Sequence, residues 1–447
     1  MADTTPAKVQ GTAGQIGLAA AVSIGIGGMV GAGIFSILGV VAGAAGSAMW
    51  LSFMIGGVVA LLSTYSYAKL GAVFPSRGGA VQFLVQCFGD GVTAGGINLF
   101  MWLGYIISLA LYATAFGGYA ATFFTATPSP LLVKGLAVGA VVVLTVVNAF
   151  GAQIMGRSET AIVAIKMAIL VLFSAVGLWF IQPSHLAISS WPAAPSILFG
   201  AAVLFIGYEG FGLITNAAGD MRDPRTLLPR ALYVSVIVVM IVYLAVAVTV
   251  TGNLTNPQIA ASKDYALAEA AKPFLGEFGF RLIAIAALFS TASAINATLF
   301  GSANVCYMIA RDGELPRTLS RTVWDDATGG LMLTSGLVIL ATLLFDLAGI
   351  AMMGSAAFLL IYAAVNAGHL RVIGRTGASR VIVWLSILTC LGMFVALAQY
   401  TYAQQPAAII ALVGLLVLSF VAEWAYRSWT GRTLKVETLT SASASRV

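Results

Sequence analysis

Between Gly25 and Phe35 the chain reads Gly25-Ile26-Gly27-Gly28-Met29-Val30-Gly31-Ala32-Gly33-Ile34-Phe35, near the centre of an apolar stretch from Ile16 to Ala45. Glycine lets a helix unwind and lets backbone N–H groups come close to a ligand. Inside a membrane, unwound backbone survives only where protein buries it or where it lines a cavity. A helix broken at that depth presents N–H groups and the positive end of a half-helix, which suit an anionic group such as a carboxylate. The same glycines also read as packing residues. Gly27 with Gly31, and Gly39 with Gly43, form GxxxG pairs, a spacing that lets helices approach closely. A second cluster (Gly200, Gly207, Gly210, Gly212 and Gly219) surrounds Phe205-Ile206-Gly207-Tyr208-Glu209-Gly210-Phe211.

Two charges lie near the middle of apolar runs. Lys166 sits within Ile162-Val163-Ala164-Ile165-Lys166-Met167-Ala168-Ile169-Leu170, and Glu209 adjoins the second glycine cluster. A charge at the centre of a membrane helix costs roughly 2.5–3.5 kcal/mol, so each should face protein and have a partner or a task. One reading of Lys166 is a fixed partner for a carboxylate or for backbone carbonyls. The other is a proton carrier. Burial disfavours the charged form of an amine, and a lysine that trades a proton as a cavity opens to each side couples movement to a proton gradient. Glu209 reads either as a protonated hydrogen-bond donor at the broken helix or as a pH sensor. Ser290-Thr291-Ala292-Ser293-Ala294-Ile295-Asn296 places small and polar side chains close together. These either bind neighbouring helices or supply oxygens to a cation, and a sodium ion or a lysine ammonium would both satisfy such a cage. Tyr105 and Tyr112 fit a pocket wall or plain packing, Asp346 is expected at a wet span end, and Glu423 is given no role. Three scattered cysteines (Cys87, Cys306, Cys390) and two histidines show no metal-ligand spacing. With no nucleophile elbow and no paired catalytic carboxylates either, the chain reads as a non-enzyme with no cofactor and no metal.

The elements that must hold these residues are membrane helices. The chain has 447 residues, 60% hydrophobic and 9% charged, with mean hydropathy +0.98, whereas soluble domains are about a quarter charged. A large soluble domain has no room. The net charge of +6 is spread over loops without a basic stripe, so no nucleic-acid partner is expected. Spans of about 20 apolar residues are predicted at 16–44, 47–74, 92–124, 131–150, 158–181, 195–219, 229–252, 278–311, 331–350, 352–371, 381–400 and 406–428. Place the N-terminus in the cytoplasm and every one of the 22 Lys and Arg falls inside, except Lys134, Lys263, Lys272 and Arg281 near the outside and Lys166 within a span. The positive-inside rule then puts both termini in the cytoplasm, with the protein multi-pass in a plasma or inner membrane. Residues 1–15 and 429–447 are expected as polar tails. Segment 253–277, with Asp264, Glu269 and Lys272, reads as an amphipathic lid over the outer mouth or as a plain loop. Asn253-Leu254-Thr255 fits an outside glycosylation sequon, while Asn296-Ala297-Thr298 lies within a span. Spans one and six hold the same place in two groups of five. Matching glycine interruptions in two halves point to a transporter site at the repeat interface.

Three motifs carry a resemblance to a known family. Gly31-Ala32-Gly33-Ile34-Phe35 resembles the first-helix motif of the amino acid–polyamine–organocation (APC) transporters. So do Asp220-Met221-Arg222-Asp223-Pro224-Arg225 with Pro229-Arg230-Ala231, and Ser290 through Thr298 with Ala310-Arg311-Asp312-Gly313-Glu314-Leu315-Pro316. The likeness covers roughly residues 15 to 400, and Lys166 makes it nearest to the proton-coupled, sodium-independent transporters of the ApcT type. It implies an all-α membrane protein of twelve transmembrane helices: a five-plus-five inverted repeat of the LeuT type over 16–371 (repeats 16–181 and 195–371), plus two further helices over 381–428. It implies that N–H groups at Gly31, Ala32 and Gly33 hold a substrate carboxylate, and that carbonyls near Met29, Phe205, Ile206 and Tyr208, beside Gly207 and Glu209, meet the α-ammonium group. It implies that Lys166 stands where sodium-coupled relatives bind the ion, within a cage of the carbonyls of Gly27, Val30 and Ala287 and the hydroxyls of Ser290 and Thr291. Met221 departs from the acidic residue many relatives carry there. The expected activity is proton-coupled import of amino acids, small or neutral because no third charge besides Glu209 is evident. An amino acid/amine exchanger, a sodium symporter and a non-transporting amino acid sensor are the alternatives. The partners expected are the amino acid, protons and the lipid bilayer.

Overall fold

The computed structural model describes residues 16–431, apart from positions 77, 126, 150–154, 263, 312–314, 321 and 325–326. The expected tails at 1–15 and beyond 431, Lys263, and Asp312-Gly313-Glu314 of the third motif lie outside the described residues. The rest is helical: α1 (Leu18–Met29), α2 (Ala32–Ala45), α3 (Met49–Val73), α4 (Gly79–Phe88), α5 (Val92–Ala121), α6 (Pro130–Ala149), α7 (Met155–Trp179), α8 (Ala194–Val203), α9 (Leu213–Asn216), α10 (Pro224–Asn253), α11 (Asn256–Ala261), α12 (Ala266–Glu269), α13 (Lys272–Arg311), α14 (Gly329–Leu344), α15 (Leu347–Arg371), α16 (Ile373–Thr376), α17 (Arg380–Gln404) and α18 (Pro406–Thr430). A two-stranded antiparallel ribbon, Thr322–Trp324 with Ala327–Thr328, precedes α14.

Among the described residues, ten stretches are long and apolar enough to cross a membrane. The first, Leu18–Val73, runs through α1, α2 and α3, and the apolar α14 is shorter than the rest. Proline opens α6, α10 and α18, where its missing N–H would have no helical partner anyway. Burial separates an inner set of helices from an outer one. The most apolar windows of α5 and of the α8–α9 stretch are 89% buried, while that of α18 is 22% buried. A helix apolar on every face yet mostly uncovered by protein is a lipid-facing helix. Helices α6, α7, α17 and α18 therefore form the lipid-facing wall, and the glycine-rich stretches sit at the centre.

Four expectations are corrected. The boundary between spans nine and ten falls at Phe345-Asp346, not near 350, because Asp346 Oδ1 caps α15 by accepting from Gly349 N at 2.9 Å. Segment 253–277 is neither one lid helix nor a plain loop: it folds as α11 and α12, and α11 starts on a capping box of Thr255 and Gln258. Helix α4 was not expected at all, since ten residues are too few to span a bilayer. It is almost wholly buried. The Asn253 sequon is unavailable: the side chain is buried and its Nδ2 donates to Gly177 O (2.9 Å) and Thr249 O (2.8 Å).

Candidate functional site

Both glycine-rich stretches are interrupted. The ladder of α1 ends where Val30 N donates to Ile26 O (2.8 Å). Val30 (ψ 46°) and Gly31 (ψ −117°) then leave helical geometry before α2 resumes. Helix α8 ends at Val203, passes through 3-10 turns Leu204–Gly207 and Glu209–Gly212, and regains one α turn in α9.

The last carbonyls of a helix have no intrahelical donor. Three of them at the end of α1 are met by side chains from three other helices. Lys166 Nζ of α7 donates to Gly27 O at 3.1 Å. Tyr243 Oη of α10 donates to Met29 O at 2.5 Å. Ser290 Oγ of α13 donates to Val30 O at 2.6 Å. Lys166 is 2% exposed, so its ammonium group faces protein and not lipid. It sits at the negative end of a half-helix, where a cation gains about 0.3–1 kcal/mol and up to about 2 when partly buried. Gly27, Val30, Lys166 and Ser290 of the expected cage are thus joined by direct bonds through one helix end. Thr291 turns inward on α13 and donates to Ala287 O at 2.7 Å.

The two breaks lie against each other. A Cβ built on Gly33 would stand 2.7 Å from Gly207 Cα and 2.9 Å from Tyr243 Oη, and one on Gly210 would overlap the Gly28 carbonyl carbon. Glycine is required here by close approach. Gly31 has the same constraint from α13, where Ala294 Cβ would be 2.7 Å away. Tyr243 Oη stitches the breaks together, lying within hydrogen-bonding reach of Met29 O (2.5 Å) and Gly207 O (3.2 Å).

The second break is held by further side chains. Ser355 Oγ of α15 accepts from Ile206 N at 3.0 Å and donates to Val203 O. Phe205 O accepts from Tyr208 N (2.9 Å), and Tyr208 Oη donates to Phe53 O (3.1 Å). Glu209 is buried. Tyr112 Oη donates to its Oε1 (3.2 Å), and Tyr362 Oη donates to its backbone O (2.7 Å). Of the carbonyls expected to meet an ammonium group, those of Met29 and Phe205 already accept protein donors. On the other side, Gly31 is the N-cap of α2 and has no side chain to cap it. Below the second break, Tyr67, Phe211 and Tyr362 form a buried aromatic triangle with ring centroids 5.1–5.4 Å apart.

Sequence reasoning left Tyr112 undecided between packing and pocket, and it missed Tyr243, Tyr362 and Ser355 altogether. One signal was present: a tyrosine in an apolar span needs a partner for its hydroxyl. With 14 tyrosines in the chain, that signal could not say which carbonyl each would find. Tyr105 does the packing job, edge-on to Phe358 at 5.7 Å.

An integral membrane protein whose centre is two interrupted helices, with helix ends turned inward and capped by neighbours, is built as a solute transporter. The comparisons make that specific. The amino acid permease family matches residues 16–421, and the chain belongs to that family, among the APC transporters. An uncharacterised protein of Methanocaldococcus jannaschii is 40% identical over 94% of this chain and 97% of its own length. The inner membrane transport protein YbaT of Escherichia coli is 35% identical over 91% of this chain and 95% of its own. The serine/threonine exchanger SteT of Bacillus subtilis is 26% identical over 68% of this chain and 69% of its own. Membership of that family makes transport the task of the chain.

Proposed function

We propose that this protein imports amino acids by proton symport across a plasma or inner membrane, with both termini in the cytoplasm. In this reading Leu18–Val73 supplies two passes, α14 is a short pass, and twelve passes form a five-plus-five inverted repeat over 16–371 with two added helices. The substrate carboxylate is held by the N–H groups of Gly31, Ala32 and Gly33 at the start of α2. Its ammonium group takes the carbonyl side of the breaks, around Met29, Phe205, Ile206, Gly207 and Tyr208, displacing the Tyr243 hydroxyl from Met29 O. Glu209 closes the pocket as a hydrogen-bonding group. With no further charge at the breaks, small or neutral amino acids fit.

The observation that carries the coupling is the 3.1 Å bond from Lys166 Nζ to Gly27 O. When protonated, Lys166 holds α7 to the end of α1 through charge as well as hydrogen bonding, while Ser290 holds α13 to the next turn. Loss of the proton removes the attraction to the helix end and frees α1, with α3, the α8–α9 stretch and α10, to rock against the rest. The test is uptake of labelled amino acids into proteoliposomes with pH and sodium gradients imposed separately. An inward proton gradient should drive accumulation, and a sodium gradient should not; accumulation driven by sodium alone overturns the reading. Lys166→Ala should abolish pH-driven accumulation while substrate still binds. Exchange is a second reading, favoured by the likeness to a relative named as a serine/threonine exchanger. Counter-flow at full rate without any pH gradient would select it.

A further inference from the structure

At one end of the bundle, α3, α15, α16 and α17 meet in a basic rim. His369 of α15 is fully buried, its Nδ1 2.9 Å from Ser66 Oγ of α3 and its Nε2 2.8 Å from Thr376 Oγ1 of α16. Tyr65 Oη of α3 accepts from Ser379 N at 2.8 Å, which fixes the start of α17. These bonds gather four cations. Lys69 Nζ lies 6.0 Å from the Tyr65 ring centroid. The Arg371 guanidinium stacks 4.7 Å over Phe88, and that of Arg375 4.6 Å over Phe74. Arg380 opens α17, and the three arginines are exposed. Among the described residues none of the four forms an ion pair.

The rim continues into an apolar stripe. One face of α17 is buried on α3, where Ser386 Oγ is 3.2 Å from Ser63 Oγ. The adjoining face presents Val381, Trp384 and Leu388, which are 68%, 52% and 61% exposed. Their spacing of three and four puts them on one side of the helix, starting one residue beyond Arg380.

We infer that this rim is a headgroup site for an anionic phospholipid. The phosphate sits against Lys69, Arg375 and Arg380, and an acyl chain lies along Val381, Trp384 and Leu388. A zwitterionic lipid would bring its ammonium group among four cations, so a net negative headgroup is selected. Placing the site in the inner leaflet rests on the orientation proposed above; the site itself does not. Bound there, the lipid bridges α3 to α15–α17 and reinforces the His369 clasp between them.

The test uses the full-length protein in neutral detergent and follows its unfolding midpoint during titration with phosphatidylglycerol, with phosphatidylcholine of the same chains, and with glycerol phosphate. Phosphatidylglycerol alone should raise the midpoint. Arg375→Gln with Arg380→Gln should weaken its apparent affinity by roughly fivefold for each charge removed, whereas Arg225→Gln, exposed but on α10 outside the rim, should leave it unchanged. The paired Lys variants, which keep both charges, should retain affinity and guard against misfolding as the cause. Equal stabilisation by phosphatidylcholine or by glycerol phosphate, or an undiminished phosphatidylglycerol affinity in the double Gln variant, would overturn the assignment. The readout is lipid binding, so it stands or falls separately from proton coupling.

Discussion

At the scale of single residues, the molecule solves the problem of broken helices with hydroxyls. Unwinding α1 frees carbonyls that cannot reach water, and each buried, unpaired carbonyl would cost about 1–3 kcal/mol. Tyr243 donates its one hydroxyl proton to Met29 O at 2.5 Å, with Gly207 O of the second break also in reach at 3.2 Å. Tyr243→Phe keeps the ring, which packs edge-on 5.6 Å from Phe53, and removes only the hydroxyl. The variant should lose about 1–3 kcal/mol of stability, read as a lower unfolding midpoint in detergent, and an unchanged midpoint would mean that the stitch carries nothing. Lys166 and Glu209 were legible in the sequence because a charge inside an apolar run is rare and costly. The tyrosines were not, because an aromatic in a span is ordinary until its hydroxyl is seen to reach a carbonyl on another helix.

At the scale of elements, glycine content alone does not mark a site. Gly43 belongs to a GxxxG pair, yet a Cβ there would meet nothing within 4 Å. Gly210 faces the Gly28 backbone, and Gly207 faces Gly33. Gly210→Ala should therefore lower uptake at least tenfold while the protein still reaches the membrane, and Gly43→Ala should transport like the parent. Equal activity of the two variants in the same vesicles would remove the breaks from the mechanism. The sequence placed both interruptions correctly, since clustered glycines weaken helices wherever they occur. It could not show α4, whose short buried run has no membrane-length signal, nor the cap at Asp346 that divides α14 from α15.

At the scale of the whole molecule, orientation in the membrane sets the direction of transport. The proposed orientation puts most Lys and Arg on the cytoplasmic side, and the three native cysteines are buried, so single introduced thiols will report with little background. Thr127→Cys, between α5 and α6, should react with an impermeant thiol reagent on intact cells. Ser379→Cys, between α16 and α17, should react only after permeabilisation. The reverse pattern would invert the topology and turn the proposed importer around.

The sequence by itself determined that the chain is a bundle of membrane helices, that two of them break, and that Lys166 and Glu209 lie inside. Hydropathy, glycine clustering and misplaced charge are local quantities, and each can be read within about twenty residues. Only the tertiary structure decided which groups meet: that Gly33 touches Gly207, that Lys166 reaches the Gly27 carbonyl across 139 positions, and that a hydroxyl on α10 bridges both breaks. Those pairings depend on how separate helices cross, and unsatisfied backbone in a dry interior takes whichever donor the crossing brings within 3 Å or so, a choice no single stretch of chain contains.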